Sequence, residues 1–239
     1  MVSRVVIVIG LALLLASCSS QPKWYDDPDT HIVRRGETLY SIAFRYGKSP
    51  SELSRWNRLG DGSLIHPGQV LRLKPPAGGG STASTRSSSR PAPRPLPKIP
   101  AQPSPKWAWP TPGMINVQFG AKPGPGTGVL INGRAGQPIV AAASGRVVYA
   151  GSGLIGYGQL IILKHNDTYL SAYGYTSSLL VKEGQDVKQG QRIATMGEGP
   201  ERKPRLHFEI RRNGESVSYT HLTLPTINGE CRCRWWAGG

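Results

Sequence analysis

A low-complexity segment at residues 75–105 prevents this chain from forming one continuous core. The segment consists almost entirely of Pro, Gly, Ser, Ala, Thr, Lys and Arg, so it has few apolar side chains to bury. Such a composition predicts a disordered linker with polyproline character, which would reach on the order of 90 Å if stretched at about 3.1 Å per residue. We therefore expect two folded modules, at residues 31–74 and 106–216, joined by a connection too flexible to transmit strain.

The N-terminus predicts export and attachment to lipid. Residues 1–17 begin with a positive charge and contain an apolar run shorter than the roughly 20 residues that a membrane span needs. This pattern is typical of a signal peptide, and the L-A-S-C that ends it at Cys18 resembles the lipobox of bacterial lipoproteins. The resemblance implies an acylated Cys18 in outer-membrane lipid, followed by a tether at residues 18–30. An ordinary signal peptide with an incidental cysteine is the alternative.

The charge balance narrows the possible partners. The formal net charge is +15, with only 14 acidic residues, a balance that would suggest nucleic acid in a cytosolic protein. After export, the available polyanions are the peptide carboxylates of peptidoglycan and the phosphates of lipid headgroups. Attraction to these surfaces needs no base-reading motif, and the sequence contains none, so we predict no nucleic-acid partner. Between Cys18 and Cys231 there is no cysteine, which excludes a disulfide framework in either module.

The first module has the pattern of a strand, two short helices and a second strand. A strand and a Gly turn open at His31, and the apolar positions of the first helix share one face: Leu39, Ile42, Ala43 and Tyr46. Gly47 is placed to end that helix in the left-handed conformation. This spacing predicts a βααβ unit.

The second helix carries its own start signals. Ser49 followed by Pro50 predicts an N-cap with proline in the first turn, and Glu52 is placed to complete a capping box. We expect Leu53 and Trp56 to face inward. In the final run, Val70 and Arg72 alternate with Leu71 and Leu73, as the two faces of a strand require.

These residues resemble the LysM family. The likeness lies in V-R-R-G-E-T-L-Y-S-I-A, in the central Asn57 and in I-H-P-G-Q-V-L, and it covers residues 31–74. It implies a shallow groove between two loops that binds N-acetylglucosamine-containing peptidoglycan glycan strands. The residues implied to bind glycan are Gly36, Glu37, Thr38, Leu39, Ile65, His66, Pro67 and Gly68. Backbone amides beside small residues can reach acetamido groups, although the same Gly and Pro residues also shape the turns.

The second module has an all-β pattern. Five β-rich runs begin at Gln137, Gly145, Gln159, Tyr169 and Arg205, and Gly-containing turns separate them without a long amphipathic helix. Many short strands predict a sandwich or a partly open barrel. His165, which follows one of these runs, fits turn chemistry.

The strands of the second module resemble the lysostaphin-type (LytM) peptidase family, from about Ile115 to Ser216. The likeness includes G-Q-P-I-V-A-A-A-S-G-R-V-V-Y-A-G and R-L-H-F-E-I-R, and it implies a mainly-β fold of the duplicated hybrid motif type. Active members bind zinc through a His, an Asp four residues later and the second His of an H-x-H. Two further histidines, in A-Y-x-H and as the first His of H-x-H, surround the attacking water.

Four of these five positions are substituted in this chain. The first ligand position is Gly126, the Asp position is Leu130, A-Y-x-H ends in Tyr175, and H-x-H becomes Arg205-Leu-His207. Catalytic zinc needs about three protein ligands. We therefore predict no metal, no cofactor and no catalytic residue, and we interpret these five positions as a groove that binds a partner. A lone His207 is also compatible with a purely structural role.

The combination of modules resembles the family of murein hydrolase activator lipoproteins associated with the divisome. It implies a peptidoglycan-binding outer-membrane lipoprotein that activates periplasmic N-acetylmuramoyl-L-alanine amidases for septal wall splitting, without hydrolase activity of its own. Two alternatives remain at this point: a zinc endopeptidase that cleaves peptidoglycan cross-links, and a wall tether that activates nothing.

The tail at residues 217–239 differs in character from the rest of the chain. One back-translation of V-S-Y-T-H-L-T-L-P-T matches a transposon-type sequencing adapter. We therefore expect the native sequence to end near Ser216 and assign no site to Cys231 or Cys233.

Overall fold

The structure is a computed structural model that describes residues 28–59, 64–76, 102–120 and 127–218. The predicted signal peptide, Cys18, most of the predicted linker and nearly all of the predicted tail lie outside these residues. Within them, no helix is long and apolar enough to cross a membrane.

The first module is the βααβ unit that its pattern predicts. Strand β1 (Thr30–Ile32) pairs antiparallel with β2 (Val70–Arg72), and helices α1 (Leu39–Arg45) and α2 (Pro50–Asn57) lie between them in the chain. Its core consists of Val33, Leu39, Ile42, Ala43, Leu53, Leu71 and Leu73.

The capping box lies on a different helix from the one predicted. At α2, the Ser49 hydroxyl makes no cap hydrogen bond and lies 2.6 Å from the hydroxyl of Ser51 instead, so the predicted box with Glu52 is wrong. The reciprocal box forms at α1, where Thr38 Oγ1 accepts from the Ser41 amide and Ser41 Oγ accepts from the Thr38 amide. A nearby hydroxyl has competed for the Ser49 side chain.

The second module is a ten-stranded antiparallel sheet. The strands are β3 (Ile115–Val117), β4 (Val129–Asn132), β5 (Pro138–Val140), β6 (Gly145–Gly151), β7 (Gln159–Lys164), β8 (Tyr169–Leu179), β9 (Asp186–Val187), β10 (Arg192–Met196), β11 (Arg205–Arg212) and β12 (Glu215–Val217). The central path of the sheet runs β3-β4-β11-β8-β7-β6-β9, β10 pairs with β5 and β8, and β12 pairs with β11. All five predicted runs form strands, which confirms the mainly-β prediction.

Part of the predicted linker is ordered against this sheet. The amide of Gln102 donates to Thr168 Oγ1 at 2.8 Å, and Asn166 Nδ2 donates to the Pro103 carbonyl at 3.1 Å. These residues therefore belong to the packed structure, because the β7–β8 turn offers them specific hydrogen-bond partners. At the other end of the domain, Val217 pairs with Ile210 within β12 and β11.

The two modules contact each other directly, which the sequence analysis did not predict. Phe44, on α1 of the first module, is 2% exposed and belongs to a core cluster of the second module. Closing even a long linker costs little additional entropy, because that cost grows only with the logarithm of its length. A modest set of favourable contacts is therefore enough to hold the modules together.

Candidate functional site

Strand β11 carries a row of buried polar side chains on one face. Because side chains alternate along a strand, Arg205, His207, Glu209 and Arg211 point to the same side, and they are 7%, 0%, 1% and 3% exposed. The intervening Leu206, Phe208 and Ile210 enter the main apolar core on the opposite face. The row therefore forms one continuous polar strip within the sheet.

His207 lies at the centre of this strip. Its Nε2 is 3.3 Å from Glu209 Oε2, and its ring makes edge contacts with Tyr157 and Tyr175 at centroid distances of 5.1 and 6.1 Å. Its Nδ1 is buried and has no hydrogen-bond partner among the described residues. Tyr175 holds its position beside His207 with a left-handed φ of 60°, a conformation that is uncommon for a residue with a Cβ atom.

Glu209 interacts with both of its neighbours in the strip, His207 and Arg211. Its Oε1 accepts a hydrogen bond from Arg211 Nε at 2.6 Å. Burial would raise the pKa of Glu209, but the charge of Arg211 and the hydrogen bond from His207 outweigh it and lower this pKa to about 2. The carboxylate is therefore ionised and paired at neutral pH.

Arg205 lies at the other end of the strip, beneath a tight turn. Its Nη2 is 3.7 Å from Glu201 Oε2, a long ion pair, and its Nε is buried without a partner among the described residues. Gly199 packs closely over it: a Cβ added there would be 3.1 Å from the Tyr175 ring and 3.3 Å from Arg205 Cβ. Arg205 thus retains one unused hydrogen-bond donor, its buried Nε, among the described residues.

The structure brings four of the five predicted groove positions together. Leu130 on β4 is directly opposite His207 in the β4–β11 register, while Gly126 lies outside the described residues. Leu130 and His207 are 1% and 0% exposed, so they form a buried floor instead of open walls. Tyr175 is half-buried and Arg205 nearly covered, so an incoming group must first meet Tyr175 and the Glu201 turn.

The described side chains at this position do not supply a set of zinc ligands. Leu130 has no donor atom, and His207 Nε2 already lies against Glu209. Across the described residues, no three His, Cys, Asp or Glu side chains are grouped so that they could hold a metal. Zinc bound by one histidine would lack the roughly three protein ligands that a catalytic site provides.

The second predicted glycan-binding loop of the first module lies beside the strand end that leads into the first loop. The Gly68 amide donates to the Val33 carbonyl and the Val33 amide donates to Gln69, so the second loop is hydrogen-bonded to the strand end that precedes the first loop. His66, Pro67 and Gly68 are exposed, whereas Ile65 packs partly against the module's core.

The first of these loops is more constrained than the second. Glu37 lies 2.7 Å from His31 Nε2 and 2.8 Å from Arg45 Nη1. Burial would raise the pKa of Glu37, but the hydrogen bond from His31 leads the interactions that lower it below its ordinary value. Thr38 is half-buried, and the side chain of Leu39 lies in the module's core, so Leu39 could contact a glycan only through its backbone.

Comparison with known proteins identifies a family for each of the two modules. The LysM domain matches residues 31–74, and Peptidase family M23 matches residues 124–219. The lipoprotein NlpD/LppB homolog of Pseudomonas aeruginosa is 39% identical over 261 aligned residues, which cover 85% of this chain and 86% of that protein.

The chain belongs to the NlpD/LppB family of lipoproteins.

Other relatives support this membership. The uncharacterized lipoprotein YgeR of Escherichia coli is 36% identical, and the match covers 96% of this chain and 95% of that protein. The murein hydrolase activator NlpD of Salmonella dublin is 57% identical over 112 residues, which cover 47% of this chain but only 30% of that protein. The chain is therefore similar over nearly the whole length of some lipoproteins of the family, and to a smaller part of the named activator.

Several residues of the candidate site were missed by the sequence reasoning. The alternation of H-F-E-I-R places Glu209 and Arg211 on the same face as His207, so strand periodicity could have identified both. Tyr157 and Glu201 lie in turns, and no local pattern indicates that they contact His207 and Arg205.

Proposed function

We propose that this chain is a peptidoglycan-binding outer-membrane lipoprotein that activates periplasmic N-acetylmuramoyl-L-alanine amidases for septal wall splitting and cleaves no wall bond itself. In this proposal, the first module binds glycan through residues 36–39 and 65–68, and acylated Cys18 anchors the chain in outer-membrane lipid. The name of the Salmonella relative, murein hydrolase activator, supports the proposed activity.

The composition of the strip on β11 is the observation that carries this proposal. Where a zinc peptidase needs ligands, this chain has Leu130 opposite a histidine that is already paired with Glu209. Arg205 adds a fixed cation whose Nη2 makes only a long, 3.7 Å ion pair with the exposed Glu201, and a guanidinium group suits the recognition of a carboxylate. We infer that the amidase presents such a carboxylate, and that the activator binds the open state of the enzyme better than the closed state.

Dye release from labelled sacculi tests this function. We expect the purified chain to release no dye with or without added zinc, and to increase release by an amidase encoded in the same genome. Release by the chain alone, abolished by a chelator, would establish the endopeptidase alternative. Binding to sacculi without any effect on the amidase would establish the passive tether.

A further inference from the structure

Phe44 belongs to the first module in sequence and to the second module in packing. Its apolar neighbours include Tyr149, Leu154, Tyr157, Leu160, Ile162, Leu170 and Ala172, all from the second module. Its ring makes an edge contact with Tyr157 at 5.4 Å and lies 3.5 Å from the guanidinium carbon of Arg211. The side chain is therefore buried only while the modules are docked.

Three hydrogen bonds between the modules fix the orientation of the first module on the second. The Phe44 carbonyl accepts a hydrogen bond from Arg211 Nη1, and Arg45 Nη2 donates to the Gly153 carbonyl at 3.0 Å. Thr38 Oγ1 donates to the Val148 carbonyl at 3.1 Å. These three bonds link α1 and its N-cap to two separate parts of the sheet, so the contact has one defined geometry.

The docked helix covers the face of the sheet that carries the candidate site. Arg211, which binds the Phe44 carbonyl, also donates to Glu209, and Glu209 contacts His207. Tyr157 touches Phe44 on one side and His207 on the other. The first module thus lies over one end of the strip whose other end is Arg205.

The same contact engages half of the proposed glycan site. Thr38 uses its hydroxyl hydrogen on Val148, and Glu37 is tied through Arg45 to Gly153. The loop at residues 65–68 remains largely exposed. A glycan that binds both loops must therefore compete with the second module for the first loop.

We propose that the docked arrangement is a closed state in which the first module occupies an interaction surface of the second, and that glycan binding and docking exclude each other. Peptidoglycan would then release Phe44 and expose the Glu209–Arg211 end of the strip to a protein partner. This inference rests on the proposed glycan binding. Because coupling between two binding events is reciprocal, weakening the docking must strengthen glycan binding.

Two substitutions in the full chain weaken the docking from opposite sides. Phe44→Ala removes the aromatic ring but lies outside the first module's own core, and Ile32→Ala, at a 62% exposed position of the same module, is its control. Gly214→Asn adds a Cβ that would lie 2.4 Å from the Lys48 carbonyl carbon. Gly214 has φ +86°, which Asn tolerates better than most residues, and Gly190→Asn, at φ +78° with nothing within 4 Å, is the matched control.

The affinity of each variant for chitotetraose, measured by calorimetry, tests whether docking competes with glycan binding. If nine-tenths of the molecules are closed, Phe44→Ala and Gly214→Asn should each bind about tenfold more tightly than the unsubstituted chain, while both controls should not change. In the unsubstituted chain, saturating chitotetraose should also remove the nuclear Overhauser contact between the rings of Phe44 and Tyr157.

Other affinities would contradict either the competition between docking and glycan binding or the proposed glycan binding. Unchanged affinity in both docking variants would show that the modules bind independently, and weaker affinity would show that the second module helps to form the glycan site. Either result overturns the competition but leaves the proposed function intact. If no variant binds chitotetraose or sacculi, the proposed glycan binding fails as well.

Discussion

Reversing the charge of Arg205 tests whether the strip on β11 contacts the amidase. Arg205 is 7% exposed, its Nε has no partner among the described residues, and its ion pair with Glu201 is long at 3.7 Å. Arg205→Glu would place a carboxylate beside Glu201 and where the partner's carboxylate is expected. We therefore expect loss of amidase activation without loss of binding to sacculi.

The expected loss follows from how little this arginine is satisfied within the chain. Truncating one member of a buried charged pair at an interface costs roughly 2–5 kcal/mol, which is about a 30- to 4,000-fold loss of affinity at 1.4 kcal/mol per decade. Glu201→Gln should change the affinity in the opposite direction, because it removes a competing carboxylate. That gain should be small, since the Glu201 side chain is 58% exposed and solvent screens its ion pair with Arg205.

The assay compares dye release by the amidase with pull-down on purified sacculi. Lys203→Glu is the matched control: Lys203 contacts the same Glu201 at 2.8 Å, but its side chain is 61% exposed. Full activation by Arg205→Glu would remove the strip from the mechanism. Joint loss of activation and of cooperative thermal unfolding would indicate misfolding, in which case Arg205→Gln repeats the test without adding a buried charge.

Three further predictions concern attachment, metal and pH. Cys18→Ser should release the chain from the membrane fraction, because acyl chains provide the attachment; retention after a high-salt wash would contradict the lipobox interpretation. The purified chain should hold no stoichiometric zinc by elemental analysis, and one tightly bound equivalent would refute the proposed loss of the metal site. Burial lowers the pKa of His165 to about 4 despite its hydrogen bond to the Ser144 carbonyl, so protonation favours the unfolded chain, whose histidine titrates near 6.5. The free energy of unfolding should be unaffected by this group above pH 6.5. It should fall by about 3 kcal/mol as the pH decreases from 6.5 toward 4. Urea unfolding should show this loss in the unsubstituted chain and in exposed His66→Asn, but not in His165→Asn.

The sequence alone determined the secondary structure where local patterns are strong. The helical spacing of Leu39, Ile42 and Ala43 predicted α1, and the run from Gly145 to Gly151 matches β6 at both ends. These patterns succeed because hydrophobic periodicity is a local property that each element must satisfy by itself. The capping box at Ser49 failed because a second hydroxyl, at Ser51, offered a competing partner.

The candidate site was predictable only in part. Family motifs identified Leu130, Tyr175, Arg205 and His207, and the strand register places Leu130 opposite His207. Their burial depends on side chains from other parts of the fold, such as Tyr157, which packs against the His207 ring. Sequence spacing does not report such contacts.

The packing of the two modules against each other depends on contacts that form only in the folded chain. Phe44 lies off the helical face shared by Leu39, Ile42 and Ala43, so the local pattern assigned it no partner. Its partners are Tyr157, which is more than a hundred positions later in the chain, and Arg211. The composition of a linker limits how far apart two modules can be, but it does not set whether they associate, because that depends on complementary surfaces formed only after each module has folded.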